Sequence, residues 1–124
     1  MKTLLPAYRQ VLSWYEQWLK PDYSLSYVPH WFFVDWAAGF DYGEPIREKE
    51  GNSALQDLMY IMTLEFAAEM EQAIGLPAMA DHYRKIATEM RKTIRPKYWD
   101  AARNLFADTQ DHRGYSQHVN AWRS

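Results

Sequence analysis

One carboxylate, Asp35, stands among the rings of Trp31, Phe32, Phe33 and Trp36 in the stretch His30 to Trp36, HWFFVDW. An unpaired buried acid is costly, so Asp35 is either hydrogen-bonded or in contact with water. Beside it lie large apolar ring faces. A second polar group follows far along the chain, in Tyr115 to Asn120, YSQHVN, where His118 and Asn120 add an imidazole and a carboxamide at the start of a helical pattern. Other chemistries find less support. The four histidines have no HExxH spacing and no cysteine accompanies them, so neither a zinc site nor thiolate or disulfide chemistry is expected. Asp108, Asp111 and Gly114 suggest a calcium loop only faintly, because the ligand spacing and closing glutamate of an EF-hand are missing, and a solvated turn is the better reading. No nucleophile elbow and no glycine-rich phosphate loop occurs. No metal and no cofactor is therefore expected. Met59, Met62 and Met70 recur at helical spacing and read as core filler.

The elements that must position these groups are helices. Leu4, Leu5, Tyr8, Val11, Leu12, Tyr15, Trp18 and Leu19 recur at intervals of three and four, which predicts an amphipathic helix ending before Lys20-Pro21. The passage Asp22 to Gly51 has no period. At that length it is a functional loop or a linker, and its aromatic content favours the loop. HWFFVDW lies inside it, bounded by Pro29 and by Gly39, as a short extended or looped stretch in which alternate residues face opposite ways. From Asn52 to Ile74 a long helix is predicted, with Asn52 or Ser53 as N-cap, and its apolar residues wrap most of the circumference, so most faces should be buried. Gly75-Leu76-Pro77 makes a tight connection to a third helix, Pro77 to Ile94. Its narrower stripe of Met79, Tyr83, Ile86, Ala87, Met90 and Ile94 is that of a helix covering a core from outside. Asp108 to Gly114 is turn-rich, and Ser116 or Gln117 caps a last helix of which Val119, Ala121 and Trp122 form the first turn.

Composition limits the partners. The 124 residues are 48% hydrophobic and 24% charged, with six Trp and nine Tyr, enough for one core, so residues 1–124 are expected to form a single unit. The net charge is -2 and the basic residues are scattered, which points to neither nucleic acid nor an anionic membrane as partner. No apolar run approaches the roughly 20 residues of a membrane span, and MKTLLPAYRQ is a helix pattern rather than a signal peptide.

Helix, aromatic loop, inner helix, outer helix, turn and the start of another helix make an all-α arrangement, part of an α/α toroid of alternating inner and outer helices. Within this order WFFVDW, then NSALQDLMY, then IRPKYWDAARNLFAD, then YSQHVNA resemble the catalytic region of bacterial α-L-rhamnosidases, glycoside hydrolases built on an (α/α)6 barrel. The likeness covers essentially the whole chain, including LLPAYRQVLSWY.

The resemblance implies an inverting hydrolase that removes terminal α-L-rhamnose from rhamnose-containing glycosides, with one carboxylate as general acid and another as base, about 6.5 to 9.5 Å apart. It places the acid-bearing motif before WFFVDW and the base beyond the QHVN helix, so Met1 and Trp122-Arg123-Ser124 read as ends cut within a longer chain that is inactive alone. It implies a bacterial setting and leaves the compartment, cytoplasm or periplasm, open. On this reading Asp35 accepts hydrogen bonds from sugar hydroxyls and Trp36 offers a ring face, while His118 and Asn120 bind further hydroxyls. The plainer alternatives are a turn cap for Asp35, a buried imidazole for His118 and a helix-start residue for Asn120. Trp31, Phe32 and Phe33 read as core. Glu50, Asn52 and Gln56 are placed to reach the same end, although capping explains Asn52; His30, His82 and His112 read as bystanders. Two other functions stay open: a trehalase-like or glucosidase-like α/α-toroid hydrolase, and a non-catalytic helical interaction module. Because an inner helix cut from its ring must be covered, the chain is expected to self-associate.

Overall fold

The computed structural model describes residues 4–121. Helix α1 spans Leu5–Glu16, α2 Ala54–Ala73, α3 Pro77–Tyr98 and α4 Gln117–Ala121, with strands β1 Trp99–Asp100 and β2 Leu105–Phe106 between α3 and α4. Trp122, expected in the last helix, and Met1 to Thr3 lie outside the described residues.

Packing of α2 against α3 makes the core. Leu55, Ile61 and Leu64 of α2 meet Ala80, Tyr83, Ile86, Ala87, Met90, Ile94 and Tyr98 of α3, all buried. These α3 positions recur at three and four residues, so one stripe closes the interface and truncating Leu64 to Ala should cost about 2–5 kcal/mol. The first turn of α2 is buried on every side, but further along Phe66 is 59% exposed. Burial all round thus holds only for the beginning of this helix.

Three boundaries differ from the periodic pattern. Helix α1 stops at Glu16, and Leu19 turns back to form an antiparallel bridge with Leu25, while the Ser26 N–H donates to the Trp18 carbonyl (2.8 Å). Leu25 and Val28 thereby enter the core from a passage without period. Helix α3 runs through Pro96 and ends two residues later, at Tyr98. Pro96 removes only one N–H there, and continuing the helix buries Tyr98 one turn below Ile94. Then a two-residue hairpin pairs Trp99 with Phe106 and Asp100 with Leu105. Asp100 Oδ1 accepts from the N–H groups of Ala102 and Arg103 at its turn, a local side-chain bond that periodicity cannot reveal.

Buried carboxylates tie the remaining elements on. Glu71 of α2 takes Arg9 Nε and Nη2, both at 2.7 Å, together with the Tyr8 hydroxyl, and so fastens α1. That guanidinium holds the Glu71 carboxyl below the usual range. His82 of α3 bonds Glu16 at the end of α1 (2.9 Å).

Candidate functional site

The loop carrying Asp35 folds back on residues 42–44. Val34 and Asp35 both direct N–H groups at the Gly43 carbonyl (2.8 and 3.3 Å), Trp31 Nε1 donates to the Tyr42 carbonyl (3.0 Å), and Asp41 and Glu44 exchange backbone bonds. Glu44 Oε1 accepts from the Phe32 N–H and from Arg47 Nη2. Glycine is required at position 43: φ is +79°, and a Cβ there would lie 2.3 Å from the Phe33 ring, which packs against that backbone.

Extended backbone then sorts the side chains. Trp31, Phe33 and Asp35 are exposed while Phe32 and Val34 are half-buried. This alternation overturns the expectation that Trp31 and Phe33 belong to the core, since they are 66% and 45% exposed. Trp36 is 73% exposed and meets the Phe33 ring edge to face at 5.4 Å.

On the facing side α4 is held by three groups. Ser116 caps it through Oγ to the Val119 N–H (3.2 Å). Asp108, buried, accepts from the Ser116 N–H (3.0 Å) and Oγ (2.6 Å), and its carbonyl takes the Ala54 N–H at the start of α2 (3.1 Å). Residues 110–113 are exposed, as a solvated turn requires, but Asp108 departs from that expectation: it organises the turn from inside, where the Gly114 carbonyl takes its N–H (2.9 Å). Asn120 accepts from the Phe106 N–H (2.9 Å) and donates both Nδ2 hydrogens, to the Phe106 and Ser116 carbonyls (3.0 Å each). These bonds fix α4 against β2 and leave at most one lone pair of Oδ1 for a ligand.

Held this way, His118 reaches Asp35: Nε2 donates to Oδ2 at 3.0 Å, across 83 positions of sequence. The Phe40 ring packs on the imidazole at 5.1 Å. The Asp35 side chain stays 57% exposed and that of His118 28%, so the pair is ordered and accessible together. Of the four candidates from sequence, Asp35 and His118 meet at one exposed spot, Trp36 follows Asp35 in the chain and packs on Phe33, and Asn120 supports His118 from within α4.

The start of α2 behaves differently from its reading. Ser53 is the N-cap residue and no side chain caps the helix. Asn52 and Gln56 are 0% and 3% exposed, so neither opens to solvent, whereas Glu50 does. Asn52 Nδ2 instead donates to the Tyr98 hydroxyl (3.4 Å), which donates to Asp57 Oδ2 (3.0 Å), and Asp57 Oδ1 takes the Leu25 N–H (2.8 Å). Burial pushes the Asp57 carboxyl up to about 7 and the Tyr98 phenol well above its ordinary value. Sequence reasoning missed Asp57; the only signal was an acid inside an apolar helix. His30 stacks on Trp14 and His112 lies 3.6 Å from Asp100. Among the described residues no three His, Asp or Glu side chains are placed to hold a metal ion, and no helix is long and apolar enough to cross a membrane.

Helices paired around one core, with a polar and aromatic spot at the end where loops and helix starts meet, make a segment of a helical-hairpin domain. Residues 1–121 match the family model of the bacterial α-L-rhamnosidase six-hairpin glycosidase domain, and the chain belongs to that family. Its mostly helical structure, 51% helix and 7% strand, agrees with part of an (α/α)6 toroid. No curated protein matches the chain.

Proposed function

We propose that residues 1–124 form a single unit within the catalytic domain of an enzyme that releases terminal α-L-rhamnose from rhamnosides with inversion. The observation that supports this reading is the Asp35–His118 bond at 3.0 Å, exposed beside Trp36. Asp35 Oδ1, without a partner among the described residues, accepts a sugar hydroxyl, while His118 fixes Oδ2 and orients the carboxylate. Trp36 gives its face to the C–H side of the pyranose and to the C5 methyl that distinguishes rhamnose. Inversion needs an acid and a base about 6.5–9.5 Å apart across the sugar. Asp57, Glu71 and Asp108 are buried in structural bonds and are closed to substrate; on this reading the chain supplies binding groups and the proton-transferring carboxylates come from elsewhere in the domain. The chain alone is inactive and associates with itself.

The test uses the protein with its flanking segments on aryl α-L-rhamnosides and α-glucosides, beside Asp35→Ala. Loss of a charged hydrogen-bond acceptor should lower kcat/KM for rhamnosides about 10- to 100-fold with the fold intact. Glucoside turnover, or rhamnoside turnover indifferent to Asp35, refutes the assignment, and turnover by the 124-residue chain refutes its inactivity.

A further inference from the structure

The rings beside Asp35 cover more surface than one sugar needs. Trp31, Phe33 and Trp36 lie with successive centroids 5.4 Å apart, and Trp31, Trp36 and Tyr42 are 66%, 73% and 78% exposed. Several large rings kept in water on one short loop are an apolar patch of the kind that marks a binding surface. The loop holds them in place through the bonds of residues 31–35 to residues 42–44, with Phe33 seated on Gly43.

We propose that the Trp31–Phe33 face receives the second ring of the substrate, the group joined to the sugar that Asp35 and His118 hold; this rests on the function proposed above. Continuity is the first argument. The alternation that exposes Asp35 exposes Phe33 and Trp31 as well, so the ring face runs on from the carboxylate along one side of the backbone. Packing is the second: Trp31 and Trp36 each meet the Phe33 ring at a steep angle, 58° and 63°, so the three rings brace one another while both indoles stay largely exposed. Charge is the third. Arg47 is spent on Glu44 at 3.0 Å, and Asp35 and Asp41 are the exposed charges left in residues 31–47, so the face suits an uncharged aryl or pyranosyl unit and not an anionic one.

Ligand-observed NMR titration of the 124-residue chain tests this, with methyl α-L-rhamnopyranoside, phenyl α-L-rhamnopyranoside and a rhamnosyl-glucose disaccharide. At least one two-ring ligand should bind about three- to tenfold tighter than the methyl glycoside, and whether phenyl, glucosyl or both show the gain names the preferred ring. Trp31→Ala should abolish the gain and leave the methyl glycoside unchanged, and Trp31→Phe should keep most of it. Equal affinity for all three ligands, no binding of any, or a Trp31→Ala variant that weakens all three alike overturns the proposal. Asp35→Asn separates the two readings: it should weaken all three ligands by one factor. If it changes nothing while Trp31→Ala still removes the gain, the sugar assignment falls and the ring face stands.

Discussion

Replacing Asp57 with asparagine should make the protein more stable at pH 8 and barely change it at pH 4. The Asp57 carboxyl lies wholly buried, and desolvation raises it from 3.8 to about 7 despite the bonds from the Leu25 N–H and the Tyr98 hydroxyl and the more distant charges of Lys97 and Lys20. The folded state therefore holds a proton that the unfolded chain releases near pH 4. Stability from this group is complete below pH 3.8, falls by about 1.4 kcal/mol per unit as pH rises, and levels off above pH 7, a total on the order of 4 kcal/mol. Asparagine mimics the neutral acid. Its Oδ1 keeps the Leu25 N–H, its Nδ2 donates to the Tyr98 oxygen, and the Tyr98 hydroxyl turns to Asn52 Oδ1, which has no partner now. Urea unfolding followed by tryptophan fluorescence at pH 5 and pH 8 reads the difference. The wild type should lose about 3 kcal/mol more than Asp57→Asn over that interval. Parallel pH profiles for the two proteins would refute the account of a buried neutral carboxyl.

Other perturbations test the scaffold and the surface. Glu71→Gln weakens the two-point bond to Arg9 and should cost about 2–3 kcal/mol at neutral pH, with faster amide exchange in α1; because the Glu71 carboxyl is held low, this difference should shrink as pH falls through the acid range. An unchanged denaturation midpoint at pH 7 would remove the clamp. Gly43→Ala places a Cβ 2.3 Å from the Phe33 ring at a positive φ and should cost about 1–3 kcal/mol, with the 30–44 loop becoming the first site of limited proteolysis; a wild-type cleavage pattern counts against the fit. Self-association should appear in sedimentation at tens of micromolar chain, and Phe66→Glu should reduce it, since Phe66 projects from the inner helix and a groove of about 340 Å³ opens between Leu58, Ile61, Ile94, Trp99 and Phe106. A chain that sediments as a monomer sinks that expectation.

What was legible in the sequence follows from what repeats. The stripe of α3 and the apolar wrap of early α2 are periodic, and both lie where the pattern puts them. The tie from Leu25 to Asp57 joins residues 32 positions apart and leaves no period to read. The turn after Asp108 is solvated at residues 110–113 as its composition suggests, but Asp108 itself is buried, because Ser116, eight positions on, returns to bond its carboxylate. Trp31 and Phe33 look like core by composition alone, and only the pleat of the loop, fixed by the bonds to Gly43, decides which side of it faces out.

Burial divides the carboxylates by task. Asp57 is so far from water that its neutral form prevails below about pH 7, which makes it a strut between the loop after α1 and the end of α3. Glu71 is equally hidden, yet Arg9 keeps it charged, and the pair serves as a clamp. A group in either setting meets no ligand without unfolding its surroundings. Asp35 differs on both counts: His118 fixes one oxygen while more than half of its side chain remains exposed. Such a carboxylate loses little of its order when a sugar hydroxyl replaces water on the other oxygen, and the gain from that bond is then reduced by little ordering cost. Glu16, held by His82, shares that arrangement, but Asp35 adds to it the exposed rings of its own loop, which is why the site assignment stands or falls with the Asp35 variants.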